Sequence, residues 1–185
     1  MRATRTAVAV AVLVLLGGCG TAPEPGTPPG PATTAAVSGS FNAADAAFVR
    51  ALLPQHRQGV EIAEIGAART SRSDVKVLAQ AIVATQRDEV TRMQGWLKAW
   101  HQSATAPAAA ANAKKIAALR TTSTDFDKAF LALLITQQER AVTLAQTEQA
   151  GGRNPDALAF AKQIIESRTA EIAQLHAFQK VRAKP

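Results

Sequence analysis

Polar side chains interrupt the apolar stripes of this sequence, and their types could do chemistry. They are Gln55, His56, Gln86, Glu89, Gln137, Gln138, Arg168 and Glu171. Burying such groups costs free energy unless they find partners. The leading interpretation is a hydrogen-bonded layer in which Arg168 pairs with Glu89 or Glu171 and the glutamines bridge, which would fix the register of the elements that carry it.

The alternative interpretation is a weak mononuclear metal site formed by His56, Glu89 and Met93. Copper(I) favours sulfur ligands and copper(II) favours clustered imidazoles, so water or glutamine oxygens would have to complete such a site. A di-iron site is excluded, because it needs Glu-x-x-His on two helices. Arg92 and Gln174 stand where those histidines would be.

The elements that carry these residues are related by an internal repeat. Phe48–Ala63 recurs 82 positions later as Phe130–Ala145, and Val77–Trp96 aligns with Ala159–Phe178 at the same offset. The offset pairs Gln55 and His56 with Gln137 and Gln138, Gln86 with Arg168, and Glu89 with Glu171. Apolar residues match apolar residues at most other positions, which favours duplication of a helical hairpin over chance similarity.

The 3.6-residue spacing of apolar positions predicts an all-α fold of four helices, a four-helix bundle with a longer central connection. The first helix is expected to start at Asn42 or Asp45, run to about Arg69 and kink at Pro54. The second should be capped by Ser73 or Asp74 and end near Trp100. The third follows Asp125 and ends at Gly151-Gly152, and the fourth starts at Asn154-Pro155. Residues 101–122 form the connection, part of it helical over about 113–119.

The remaining sequence indicates export. Residues 1–18 combine Arg2 and Arg5 with a short apolar run, as in a signal peptide. The only cysteine, Cys19, follows Leu16-Gly17-Gly18, which resembles a bacterial lipobox and makes Cys19 the predicted lipid attachment site. Residues 19–40 are rich in Pro, Gly and Thr and predict a tether, so that 41–185 is the folded domain.

The charge distribution and the motif content argue against nucleic-acid binding and against catalysis. The net charge of +7 is interspersed rather than clustered, so a nucleic-acid interface is not expected. No serine or cysteine stands in a recognisable nucleophile motif and no Gly-rich phosphate loop is present, so the chain is not expected to be an enzyme. His101 and His176 are interpreted as surface histidines, whereas Trp96 and Trp100 are expected to pack in the core.

The chain resembles the domain of unknown function 305 family over roughly residues 44–180. The first copy of the family's repeated element carries Phe48, Leu52, Leu53, Gln55, His56, Gly59, Val60, Ile62 and Ala63, followed by Gln86, Glu89, Val90, Met93, Trp96 and Leu97. The second copy carries Phe130, Leu134, Ile135, Gln137, Gln138, Ala141, Val142, Leu144 and Ala145, then Arg168, Glu171, Ile172, Leu175 and Phe178. The resemblance implies a ferritin-like helical bundle, often exported, with copper or silver binding in some relatives.

This chain departs from the family at the ligand positions. The family's His-His pair is Gln-His in the first copy and Gln-Gln in the second, and its thioether positions are Leu52, Ile62, Leu134 and Leu144. The sequence therefore predicts a membrane-tethered envelope lipoprotein that binds a partner or small ligand and requires no cofactor. The alternative is a copper or other metal-binding tolerance protein with a residual site. Self-association through helix faces is a third option.

Overall fold

The computed structural model describes residues 39–104 and 110–181 of the chain. They form α1 (Ala43–Arg69), α2 (Ser73–Ala99), α3 (Ala110–Thr121), α4 (Phe126–Gly151) and α5 (Pro155–Lys180), which confirms the all-helical prediction for this part of the chain. These residues all belong to one compact unit, Thr34–Pro185. The predicted leader, Cys19 and residues 19–38 of the predicted tether lie outside the described residues. No helix in the described ranges is long and apolar enough to cross a bilayer.

Two helices begin where the sequence predicts, because their caps are local. The side chain of Asn42 accepts hydrogen bonds from the N–H groups of Ala44 and Asp45, and the Asp45 carboxylate accepts from the N–H of Asn42. Asn154 caps α5 in the same way, with Pro155 at the first helical position. These bonds satisfy N–H groups that the helix itself leaves unpaired.

The prediction that Ser73 or Asp74 caps α2 is wrong. Arg72 occupies the cap position and makes no side-chain cap bond. Its guanidinium pairs instead with Asp74 and donates to the carbonyl oxygen of Phe178 at 2.8 Å. A contact with α5 therefore fixes the start of α2. Asp125 does stand at the cap of α4, but at φ 52° and without a side-chain cap bond.

The central connection contains a full helix, longer than the predicted 113–119 segment. Arg69 at the end of α1 donates to the carbonyl oxygen of Leu119 at 2.6 Å and to that of Arg120 at 2.7 Å. Ile116 and Leu119 are buried against the other helices. These contacts dock α3 on α1, which continues as one helix through Pro54.

Two apolar clusters form the core, and α1, α2, α4 and α5 contribute to both. The first includes Phe48, Leu52, Met93, Trp96, Trp100, Phe160 and Ile164. The second includes Ile62, Ile82, Phe130, Leu134 and Leu175, together with Ile116 and Leu119 of α3. Along each of the four long helices the polar residues singled out above fall between the two clusters.

Candidate functional site

The polar layer, the eight residues named at the start, occupies about one turn of each long helix between the apolar clusters. Seven of the eight are buried: Gln55, His56, Gln86, Glu89, Gln137, Gln138 and Arg168. Glu171 keeps 17% of its side chain exposed. The polar residues of each long helix lie on the same face as its apolar stripe, so they meet in the interior between the two apolar clusters.

Gln55 on α1 and Gln137 on α4 hold the middle of the layer together. The amide of Gln55 donates to the carbonyl oxygen of Gln137, and the amide of Gln137 donates to the carbonyl oxygen of Gln55. The two residues are 82 positions apart, the offset of the repeat.

Arg168 is the charged centre of the layer, and its side chain has 0% exposure. Its Nη1 donates to Oε1 of Glu171 at 2.7 Å, and its Nη2 donates to Oε2 of Glu89. Burial raises the pKa of Glu171, and the guanidinium opposes that rise. A buried charge is tolerated only when it is paired, so the arginine and the two carboxylates depend on one another.

His56 lies fully buried between two acceptor groups. Its Nδ1 is 2.8 Å from Oε1 of Gln55, and its Nε2 is 2.9 Å from Oε2 of Glu89. Burial lowers the pKa of His56, against the opposing effect of the Glu89 carboxylate. A neutral ring carries a single N–H and can donate to only one of these two acceptors at a time.

Glycine at position 59 makes room for the amide of Gln86. A Cβ built on Gly59 would lie 2.1 Å from Oε1 of Gln86. The amide of Gln86 donates to Oε1 of Gln138 at 3.2 Å, and Gln138 donates in turn to Oε2 of Glu171. The layer is therefore one chain of contacts across α2, α4 and α5.

Met93 and the other histidines do not enter this network. Met93 is buried in the first apolar cluster, one turn from Glu89 on α2. His101 and His176 are exposed, and Trp96 and Trp100 are buried, as the sequence predicts. Of the three predicted metal ligands, the structure brings His56 and Glu89 into contact.

The residues present do not fit a resident metal ion. In the described ranges, no group of three or more His, Cys, Asp or Glu side chains is arranged to hold one. The Arg168 guanidinium already contacts the carboxylates of Glu89 and Glu171, and its positive charge would repel a metal cation. Some oxygen acceptors of the layer nevertheless lack a hydrogen-bond partner among the described residues: Gln86 Oε1, Glu89 Oε1 and Gln137 Oε1.

A second polar cluster, which the sequence analysis missed, lies at the start of α1 and the end of α4. Asp45 and Glu148 are buried, and Asp45 accepts hydrogen bonds from the backbone N–H groups of Arg153 and Asn154 at 2.9 Å. Glu148 continues the buried stripe of Ala141 and Ala145. That spacing could have identified it.

An open groove of about 300 Å³ lies between α3 and α4. Its walls are mostly apolar, and Lys115 is the one basic residue among those that line it. The lining residues are Lys115, Ala118, Leu119, Thr122, Ala129, Ala132, Leu133 and Thr136.

Solved structures of similar fold include a DUF305 fragment from Deinococcus radiodurans, with a TM-score of 0.68 and 23% identity, covering 76% of this chain and 97% of that one. A DUF305 protein from Streptomyces coelicolor has a TM-score of 0.66 and 24% identity, covering 71% of this chain and 88% of that one. CopM in its Cu(I)-bound form has a TM-score of 0.65 and 26% identity, covering 72% and 94%. CopM is also known in Cu(II)-bound, Ag-bound and apo forms. Among curated proteins, none matches this chain.

The family assignment comes from the sequence itself. A family model described as a domain of unknown function, DUF305, matches residues 45–179, which is most of the chain and the whole repeat. The match spans both halves of the polar layer and both apolar clusters. This chain is a member of the DUF305 family.

Proposed function

We propose that this protein is a non-catalytic binding domain of the bacterial envelope, held at the outer face of the cytoplasmic membrane by a lipid on Cys19. Its four long helices form a ferritin-like four-helix bundle, and the duplication of one hairpin accounts for the contact between Gln55 and Gln137. Residues 19–40 tether the domain. The supporting sequence features are the lipobox-like Leu16–Cys19 and the Pro-rich composition that follows.

This proposal rests on the ion pairs of Arg168. The guanidinium donates a hydrogen bond to each of the two carboxylates of the polar layer from within the chain, so the layer works as an architectural element that fixes helix register. Binding then belongs on the surface. The groove between α3 and α4 suits a small apolar ligand or peptide bearing an acidic group, because its walls are apolar and Lys115 supplies a positive charge.

Lipid anchoring is tested in the native host. Wild-type protein is expected in the membrane fraction and in the detergent phase of a Triton X-114 extraction, and Cys19→Ser is expected in the aqueous phase. Equal partitioning of the two proteins would remove the anchor from the proposal. Light scattering over a range of concentrations separates a monomeric domain from a self-associating one.

Metal binding is the second candidate function, with His56, Glu89 and Met93 as its residues. Two observations favour it. Nε2 of His56 lies 2.9 Å from Oε2 of Glu89, and Oε1 of the same carboxylate has no hydrogen-bond partner among the described residues. Copper-bound and silver-bound forms of the similar protein CopM are known.

Copper titration separates the two functions. The soluble form, residues 19–185 with Cys19→Ser, has no thiol to bind copper and is titrated by calorimetry under oxidising and reducing conditions. No saturable heat is expected if the layer is architectural. A 1:1 complex with Kd at or below about 1 μM, equivalent to about −8 kcal/mol, that is lost in His56→Ala and kept in the exposed control His176→Ala would establish the metal function instead.

A further inference from the structure

The first residues of the folded domain are bound to the turn between α4 and α5. The side chain of Asn42 donates to the carbonyl oxygen of Gly151 at 2.9 Å. The side-chain amide of Asn154 lies 3.4 Å from the carbonyl oxygen of Gly39 and 3.5 Å from that of Ser40. The segment that leads into α1 is therefore held by the turn that starts α5.

The buried carboxyl groups of Asp45 and Glu148 lie at the same junction, and donors surround only one of them. Oδ1 of Asp45 accepts hydrogen bonds from the N–H groups of Arg153 and Asn154 at 2.9 Å. Its Oδ2 accepts from the N–H of Asn42 at 2.6 Å. Glu148 interacts with Asp45 from α4, but neither of its buried oxygens accepts from an N–H or hydroxyl donor among the described residues. An ionised carboxylate is satisfied at Asp45 and not at Glu148, so the proton of the pair belongs on Glu148.

Loss of that proton to the solvent would leave two carboxylates facing each other away from water, where they repel. A Cβ on Gly152 would lie 2.3 Å from Oε1 of Glu148, so the backbone of the turn blocks Glu148 from withdrawing on that side. The charged residues of the turn and of the first turn of α5 are Arg153 and Asp156. Neither side chain contributes to the pKa shifts of the pair. Asp45 can then escape the repulsion by moving into water, which breaks its bonds to the turn.

We propose that Asp45 and Glu148 form a pH-operated latch, which holds residues 39–45 on the turn between α4 and α5 when Glu148 is protonated and releases them when it is ionised. Phe41 is the residue of this segment that packs against an apolar cluster, and it is only partly buried. The release is therefore local, and the two apolar clusters keep the bundle folded. Neither carboxyl belongs to the polar layer or lines the groove, so the inference is independent of the proposed function.

The contact between Phe41 and Trp100 makes the release measurable. The two rings stack with centroids 4.8 Å apart, and the chain has two tryptophans and no tyrosine. In the soluble form, Trp96→Phe leaves Trp100 as the single fluorophore of these types. Acrylamide quenching of its emission should be at least about twofold stronger at pH 10 than at pH 5, with helical circular dichroism retained. Because only the latched form keeps the proton, the transition should fall above the ordinary carboxyl pKa of 4.5 and no higher than about 8.

Three variants in the same background serve as controls. Glu148→Gln gives Asp45 a permanent donor and should keep the weak quenching of pH 5 up to pH 10. It retains all three histidines, so an effect of histidine titration would survive in it. Glu139→Gln, exposed on the same helix, should keep the transition. Phe41→Ala removes the stacked ring and should give strong quenching at every pH.

Carbon-13 NMR of the soluble form without further changes follows the carboxyl carbon of Glu148 directly. Titration of this carbon in the ordinary range of glutamate would overturn the inference. A quenching transition that persists in Glu148→Gln, or none between pH 5 and pH 10, would also overturn it. Loss of helical circular dichroism in step with the quenching would show that the whole domain unfolds, and the local release would then be wrong.

Discussion

The carboxyl groups of Asp45 and Glu148 are both buried and interact with each other where the start of α1 meets the end of α4. Burial would raise the pKa of Asp45, but hydrogen bonds from Glu148 and from the backbone N–H groups of Asn42, Asn154 and Arg153 lower it. Burial, together with the Asp45 charge, raises the pKa of Glu148 to about 8. Glu148 therefore holds the proton at neutral pH and donates it to Asp45.

This pair predicts that the domain loses stability as the pH rises. Between the ordinary carboxyl pKa of 4.5 and about 8, the folded state binds a proton that the unfolded state has released. The free energy of unfolding therefore falls with increasing pH in that window. His56 opposes this trend below its ordinary pKa of 6.5, because the unfolded state binds that proton more readily. We therefore expect a net loss of about 1 kcal/mol between pH 7 and pH 9, measured by urea unfolding at each pH.

Glu148→Gln tests the origin of that slope. The glutamine amide donates to Asp45 without a titrating proton, so the loss of stability between pH 7 and pH 9 should become smaller, and the variant should be more stable than the wild-type sequence at pH 9. Glu139→Gln, on the exposed face of the same helix, serves as the control and should keep the wild-type slope. An unchanged slope in Glu148→Gln would assign the pH dependence to other groups.

A second prediction concerns the close packing of α1 on α4. A Cβ on Gly66 would lie 2.1 Å from Cζ of Phe130, a ring with 0% exposure. Gly66→Ala should therefore destabilise the domain by about 1–3 kcal/mol through overpacking. Gly95 on α2 has nothing within 4 Å of such an atom. Gly95→Ala should stabilise the helix by about 0.5–1 kcal/mol, so thermal unfolding should move the two Tm values in opposite directions.

Much of the helical layout was predictable because the responsible interactions are local. Asn42 and Asn154 cap the residues that follow them within three positions, and Gly152 ends α4 as expected. The start of α2 was mispredicted because it depends on a tertiary bond, from Arg72 to the Phe178 carbonyl. Sequence spacing does not report such a bond.

The same distinction between local and tertiary interactions applies to the central helix α3 and to the two polar clusters. The Ala-rich sequence of α3 carries few large apolar residues. Its docking depends on the burial of Ile116 and Leu119 and on carbonyl contacts with Arg69. Arg168 could be matched to Glu89 and Glu171 because all three interrupt predicted stripes. Glu148 was overlooked because a lone acidic residue near a helix end is usually solvated. Residue types alone do not indicate that two carboxyl groups share a proton.

A third prediction locates the start of the folded domain. Phe41 stacks on Trp100 with ring centroids 4.8 Å apart and planes 14° apart, so it joins the segment before α1 to the end of α2. Phe41→Ala should lower the free energy of unfolding by about 1–2 kcal/mol. Val77→Ala, at a site with 66% exposure, should change it by less than about 0.5 kcal/mol. If Phe41→Ala and Val77→Ala change the free energy of unfolding equally in chemical denaturation, the folded domain starts after Phe41.

The last prediction measures how strongly Arg168 and Glu89 depend on each other. Arg168→Ala leaves two carboxylates in the layer without their positive charge and should cost about 3–5 kcal/mol. The double variant Arg168→Met with Glu89→Leu removes both charges and should cost clearly less than Arg168→Ala, because no unpaired Glu89 remains. Arg87→Ala breaks the exposed Arg87–Glu64 pair and should cost no more than about 1 kcal/mol. Urea unfolding at pH 7 gives all three values.

A cost for Arg168→Ala no greater than that for Arg87→Ala would mean that the layer does not depend on its arginine. In that case the architectural function would not follow from the Arg168 contacts.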